Sequence, residues 1–130
     1  MILDTSFVID LLRGKKSAEE KAQELDKENQ SVTIPTPVVF ELFVGVVQAD
    51  APVSERRKVE KFTSAYGHSD LRYEEAKTAG EVLGNLLIKG KRIGIIDSLI
   101  VSFALNRGES ILTRDPEHFG RIEGVTVESY

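Results

Sequence analysis

Four carboxylates in this chain stand where an acidic side chain is costly to keep. Asp4 closes the run Met1-Ile2-Leu3, and Glu41 lies between Val38-Val39-Phe40 and Leu42-Phe43-Val44. Asp97 follows Ile93-Gly94-Ile95-Ile96, and Asp115 comes just after Ser110-Ile111-Leu112-Thr113. Apolar runs of this kind are buried, and an unpaired negative charge beside them needs a cation. Arg114 is the one basic residue among them. Hard oxygen donors without a thiolate or clustered histidines select Mg²⁺ or Mn²⁺ over Zn²⁺ or Cu²⁺. One or two such ions would activate a water against a phosphodiester and neutralise the charge that builds on the phosphoryl group and leaving oxygen. The chain has no G-x-x-x-x-G-K-[ST] loop, so triphosphate hydrolysis by a P-loop is not indicated.

Each acid alone also has a structural reading. Asp4, Asp97 and Asp115 occupy positions where a helix cap is wanted. Glu41 falls mid-helix, where the alternative is a buried pair with a distant Lys or Arg. His118 follows Asp115 closely enough to reach a site but reads as a solvent-facing histidine on a short helix. Asp10, between Ile9 and Leu11, reads as the polar side of the first helix and not as a fifth ligand.

Elements that position the acids follow from the pattern. Met1 to Asp4 predicts a short buried strand, and Thr5 or Ser6 caps a helix through Leu12 that stops near Gly14. Ser17-Ala18-Glu19-Glu20 is a capping-box pattern for a more exposed helix to about Glu28. Ser31 to Ile34 predicts a second strand, and Thr36-Pro37 opens a helix, capped by Thr36, that runs to Gln48. Helices are expected from Ser54 to Tyr66, Glu74 to Lys89 and Asp97 to Asn106. The Glu74 helix should bury Ala76, Ala79, Gly80, Leu83 and Leu87, and Gly80 with Gly84 would permit a close helix approach. His68 to Leu71 is a candidate short strand, Ser110 to Thr113 and Val125 to Glu128 are further strands, and Asp115-Pro116 starts a short helix. Alternating strands and helices predict an α/β fold with a mostly parallel sheet, whose ligands gather at the carboxyl ends of the strands.

With 130 residues, the chain is expected to be a single domain, residues 1–130, without linker or repeat. It has no cysteine, which removes disulfides, thiolate nucleophiles and Cys-based zinc sites. Neither a membrane span nor a signal-peptide pattern is present, so a cytoplasmic location without membrane partners is expected. The net charge of −4 counts against a nucleic-acid partner at first sight. Metal ions on the four acids would cancel that charge locally, leaving Arg13, Lys15, Lys16, Lys89, Lys91, Arg92 and Arg114 to meet phosphates.

Met1-Ile2-Leu3-Asp4-Thr5-Ser6, Thr36-Pro37-Val38-Val39-Phe40-Glu41-Leu42, Ile96-Asp97-Ser98-Leu99-Ile100 and Leu112-Thr113-Arg114-Asp115 through Phe119 resemble, in order, the four signature segments of PIN domains. In length and order the chain is similar to the VapC ribonuclease toxins of type II toxin-antitoxin systems, and Ile122-Glu123-Gly124-Val125 resembles their closing pattern. The resemblance implies a PIN-like three-layer sandwich with a central mostly parallel sheet flanked by helices. It implies a Mg²⁺- or Mn²⁺-dependent endoribonuclease acting on RNA, a homodimer, and a VapB antitoxin lying across the active-site groove. Carried over, Asp4, Glu41, Asp97 and Asp115 are the metal-binding and catalytic acids, and Thr113 the hydroxyl that orients an acid or a metal-bound water.

Two other readings compete with this one. A catalytically silent PIN-fold module that binds RNA or antitoxin would be favoured by a missing acid, and none is missing. A haloacid-dehalogenase-like phosphatase would want a second aspartate two residues after Asp4, where Ser6 stands.

Overall fold

The computed structural model describes all 130 residues. Its elements are β1 (Ile2–Leu3), α1 (Thr5–Leu12), α2 (Lys16–Lys27), α3 (Thr36–Gln48), α4 (Pro52–Tyr66), α5 (Tyr73–Ile88), α6 (Ile95–Arg107), β2 (Ile111–Leu112), α7 (Pro116–Gly120) and β3 (Val127–Glu128). The three strands form a parallel sheet in the order β1-β2-β3, with Ile2 opposite Ile111 and Ile111 opposite Val127.

Both remaining expected strands are reduced to single parallel bridges that extend this sheet: Thr33 beside Ile2 on β1, then Ser69 beside Pro35. Thr33 exchanges backbone hydrogen bonds with Met1 and Leu3, and Ser69 donates to Ile34 and accepts from Thr36. Pro35 lacks an N–H and cannot continue a ladder, which keeps these segments short.

The apolar runs fill the space between sheet and helices. Ile2, Leu3, Ile111 and Leu112 from the strands are fully covered, as are Phe7 and Val8 of α1, Val38 of α3, and Ile100, Val101 and Phe103 of α6. Burying each such side chain contributes about 1.5–3 kcal/mol relative to leaving it in water. Helices pack in the pairs α1 with α2, α3 with α4 and α5 with α6, and α6 also touches β1.

Helix boundaries differ from the sequence expectation in instructive places. The last long helix starts at Ile95, with Gly94 at its cap position, so Asp97 lies inside the first turn and is not the cap. Thr36 is the first residue of α3, not its cap, and its hydroxyl accepts instead from the Leu71 N–H at 3.0 Å. Helix α2 begins at Lys16, and its cap residue Lys15 makes no side-chain capping bond, so the Ser17 capping box is not formed. On α5 the buried residues are Ala79 and Leu86, while Leu87 is exposed and a Cβ on Gly80 or Gly84 would meet nothing within 4 Å. No close helix approach occurs at those glycines.

Gly108 ends α6 in the left-handed conformation at φ 65°, which turns the chain back into β2. A helix that returns the chain to a parallel strand must start at the carboxyl edge of the sheet. That places the first turn of α6, carrying Asp97, at the same edge as the residues that follow β1 and β2.

Candidate active site

Asp4 leaves β1 with only 6% of its surface exposed. Its Oδ2 accepts from Ser6 Oγ at 2.6 Å, from Thr113 Oγ1 at 2.9 Å and, at 3.4 Å, from the Ser6 N–H at the start of α1. Asp4 therefore caps α1, as one reading of the sequence allowed, and keeps Oδ1 without a protein partner. Thr113, 1% exposed at the end of β2, is the donor that joins the two strand ends. Its Oγ1 also accepts the Asp115 N–H at 3.2 Å.

Glu41 enters from the second turn of α3. Thr5 Oγ1 donates to its Oε1 at 2.6 Å. Burial pushes the Glu41 carboxyl above its ordinary range; the Thr5 hydrogen bond opposes this, and the negative charges of Asp97 and Asp4 add to it. Three of the four acids thus share one electrostatic environment. A buried pair of Glu41 with a Lys or Arg, the main structural alternative, is not formed.

Asp97 holds its Oδ2 against His118 Nε2 at 2.8 Å. The carboxylate is the acceptor, so that nitrogen carries the proton. Asp115 caps α7, accepting from the His118 N–H at 3.2 Å through Oδ1.

A common pattern runs through all four acids. Each has one oxygen fixed by the protein: Asp4 by Ser6 and Thr113, Glu41 by Thr5, Asp97 by His118, Asp115 by the α7 backbone. Each leaves its second oxygen free of protein partners. The free oxygens do not close on one point at coordinating distance in this structure. In donor type and in accumulated negative charge the set fits a hard divalent cation.

Basic residues take different roles. Arg114, expected at the substrate, places its guanidinium on Asp10 at 3.0 Å, while its backbone N–H donates to Ser6 Oγ at 3.1 Å. Lys89, Lys91 and Arg92 are exposed on the connection into α6, and the Arg92 carbonyl accepts from Arg121. Arg13 lies on the rim of a groove of ≈ 460 Å³ that runs from Glu41 past Ile9 and Val46 to Lys58 on α4.

Two residues differ from the sequence expectation. His118 is not a solvent-facing bystander but sits on Asp97. Asp10 is 4% exposed and accepts from Lys15, Arg114 and the Tyr130 hydroxyl. Burial alone would raise its carboxyl; the Tyr130 and Lys15 hydrogen bonds and the Arg114 and Lys15 charges outweigh this and hold it below the ordinary range. The spacing of His118 from Asp115 was the one signal, and it names no partner: Asp97 lies 21 positions from His118, and Tyr130 lies 120 from Asp10.

Comparison with known proteins agrees with this fold. The family model described as "PIN domain" matches residues 1–125. Ribonuclease VapC1 of Rickettsia felis is 30% identical over 98% of this chain and 93% of its own length. The tRNA(fMet)-specific endonuclease VapC of Salmonella typhimurium is 26% identical over 99% of this chain and 96% of its own. Among solved structures, DNA-bound VapBC2 from Rickettsia felis superposes with a TM-score of 0.90 at 25% identity, covering 99% of this chain and 97% of that one. DNA-bound VapBC from Salmonella typhimurium does so with a TM-score of 0.89 at 26% identity, covering 98% and 96%. The signature segments, the parallel sheet that gathers the acids at one edge, and these likenesses together place the chain in the PIN-domain family, among the VapC ribonucleases.

Proposed function

We propose that this chain is a VapC-type toxin, an endoribonuclease that uses Mg²⁺ or Mn²⁺ and is inhibited by a VapB-like antitoxin. Its similarity to VapC ribonucleases over nearly the whole length supports the activity, and the VapBC assemblies among its structural relatives support the antitoxin. The observation that carries the chemical part is the set of half-anchored carboxylates: Asp4, Glu41, Asp97 and Asp115 each keep one oxygen for the protein and one for a ligand.

Asp4, Glu41, Asp97 and Asp115 would hold the metal, which when bound supplies a polarised water and neutralises charge on the phosphoryl oxygens. The chain's own residues do the rest. Thr113 and Ser6 fix the Asp4 carboxylate, and Thr5 fixes Glu41. Glu41, held by Thr5 beside Asp4 and Asp97, is among the acids that would orient the attacking water. The water oxygen bonds to phosphorus as the bond to the leaving sugar oxygen breaks; the water gives up its proton to solvent and the leaving oxygen takes one from solvent.

The groove leading from Glu41 past Arg13 to Lys58 opens beside the acids, and single-stranded or loop RNA is the substrate class because its bases can be splayed apart. Exposed Lys89, Lys91 and Arg92 flank the approach to α6 and supply phosphate contacts. Homodimer formation belongs to the same proposal, and exposed Phe40 and Val47 on α3 with Leu87 and Ile88 on α5 offer apolar surface for it. No helix is long and apolar enough to cross a membrane.

The test is incubation of antitoxin-free protein with a mixed structured RNA in Mn²⁺, followed by mapping of the cut sites, with and without a VapB-like partner from the same operon. Discrete cuts in loops, suppressed by the partner, are expected. RNA that is bound but left intact would favour the silent module.

A further inference from the structure

His118 is the one histidine at the site, and it is held there from two directions. Its backbone N–H donates to Asp115 Oδ1 at 3.2 Å, which caps α7. Its ring packs edge-on against buried Phe119, with ring centroids 5.1 Å apart. The ring's Nε2 then meets Asp97 Oδ2 at 2.8 Å, with about a third of each side chain exposed to solvent, 34% and 29%. Across from the imidazole, Gly94 presents only backbone to the carboxylate, and a Cβ there would stand 3.4 Å from the same Oδ2.

We propose that His118 is a positioning residue for Asp97, and that Asp115 acts on Asp97 through it. The N–H of the imidazole fixes which oxygen of Asp97 is bound to protein, so that Oδ1 is presented to a cation in one orientation. Carboxylates that bind metals are commonly oriented by such an outer hydrogen bond, and removing it typically lowers metal affinity about 10–100-fold. The cap on α7 makes the presentation dependent on Asp115: the carboxylate that follows β2 sets the helix, the helix sets the ring, and the ring sets Asp97. This rests on the reading of the four acids as a divalent-metal site.

A merely structural role for His118, fastening α7 to α6, predicts a loss of stability with unchanged metal affinity in the folded protein. The discriminating measurement is Mn²⁺ affinity by electron paramagnetic resonance on wild type, His118→Ala, His118→Gln, Asp97→Asn and the His118→Ala, Asp97→Asn double variant, with melting temperatures alongside. We expect His118→Ala to weaken Mn²⁺ binding about tenfold or more. His118→Gln, which keeps an N–H donor, should recover most of that loss. The double variant should bind no more weakly than Asp97→Asn alone, because the effect passes through that carboxylate. RNA cleavage by His118→Ala should return toward the wild-type rate at high Mn²⁺.

Wild-type Mn²⁺ affinity in a folded His118→Ala protein would overturn the inference while leaving the nuclease reading intact. A further loss in the double variant beyond Asp97→Asn would overturn it as well, since His118 would then act without Asp97. A wild-type protein that binds no Mn²⁺ would overturn the metal reading and this inference with it.

Discussion

Thr113 Oγ1 donates a hydrogen bond to Asp4 Oδ2 at 2.9 Å, joining residues 109 positions apart at the ends of two neighbouring parallel strands. Both side chains are almost fully buried. The bond exists because β1 and β2 are in parallel register, Leu3 opposite Leu112, so the residues that follow them emerge side by side. Thr113→Val keeps the shape and removes the donor. It should cost about 1–3 kcal/mol in urea unfolding, the range for leaving a buried charged acceptor short of a partner. Cleavage should fall as well, and Thr113→Ser should restore both. Unchanged stability and activity in the valine variant would mean that Ser6 alone suffices to hold Asp4.

Glu41 should make the metal-free fold less stable at neutral pH than its amide would. Its carboxyl is raised above the ordinary 4.5 by burial and by Asp97 and Asp4. The folded state therefore favours the protonated form; that contribution is fully present below the unfolded value and is lost as pH rises through the raised one. Glu41→Gln should accordingly raise the melting temperature of metal-free protein at pH 7, by a modest amount because the side chain is half-exposed. The gain should shrink toward zero as pH falls below 4.5, and RNA cleavage should be lost throughout.

Asp10 should behave in the opposite sense. Its carboxyl is held below the ordinary 3.8, so its contribution is present above that pH and is lost as pH falls through the depressed value. Asp10→Asn should cost about 1.5–3 kcal/mol at pH 7, the range for hydrogen bonds to a charged group, and not the larger penalty of a fully buried pair, because Lys15 and Arg114 are half-exposed. Below pH 3.8 the difference from wild type should narrow. Tyr130→Phe removes one of the three donors to Asp10 and should cost about 1 kcal/mol by the same measurement.

Lys89→Ala combined with Lys91→Ala should weaken RNA binding without changing Mn²⁺ affinity. If both lysines neutralise phosphates of a single strand, the slope of log affinity against log salt should fall by roughly 1.4, at about 0.7 per contact. An unchanged slope would remove these residues from the RNA path and leave Arg13 and Lys58 as the basic edge of the groove.

The four acids were legible in the sequence because each interrupts or ends an apolar run, and burial of a carboxylate is a strong local signal. The alternation of strand and helix also made legible that Asp4 and Thr113 follow neighbouring parallel strands. What could not be read locally was direction. Whether His118 faces solvent or Asp97 depends on how a five-residue helix docks against α6, which its own sequence does not specify. Asp10 looked like the polar side of α1 because its three partners, Lys15, Arg114 and Tyr130, come from separate segments. Arg114 reads as a substrate contact for the same reason: the sequence shows its charge and not its pairing with Asp10. The bridges at Thr33 and Ser69 fell short of strands because the backbone around Pro35 cannot carry a ladder.

On the proposed function, half-anchored carboxylates at the sheet edge hold a divalent ion for RNA cleavage. The most direct measurement is the cleavage rate of a structured RNA by antitoxin-free protein in Mn²⁺, in Mg²⁺ and in EDTA, beside folded Asp97→Asn as control. Cutting in either metal that stops in EDTA and in the variant is the predicted result. Equal cutting in EDTA, or full activity of Asp97→Asn, would contradict it.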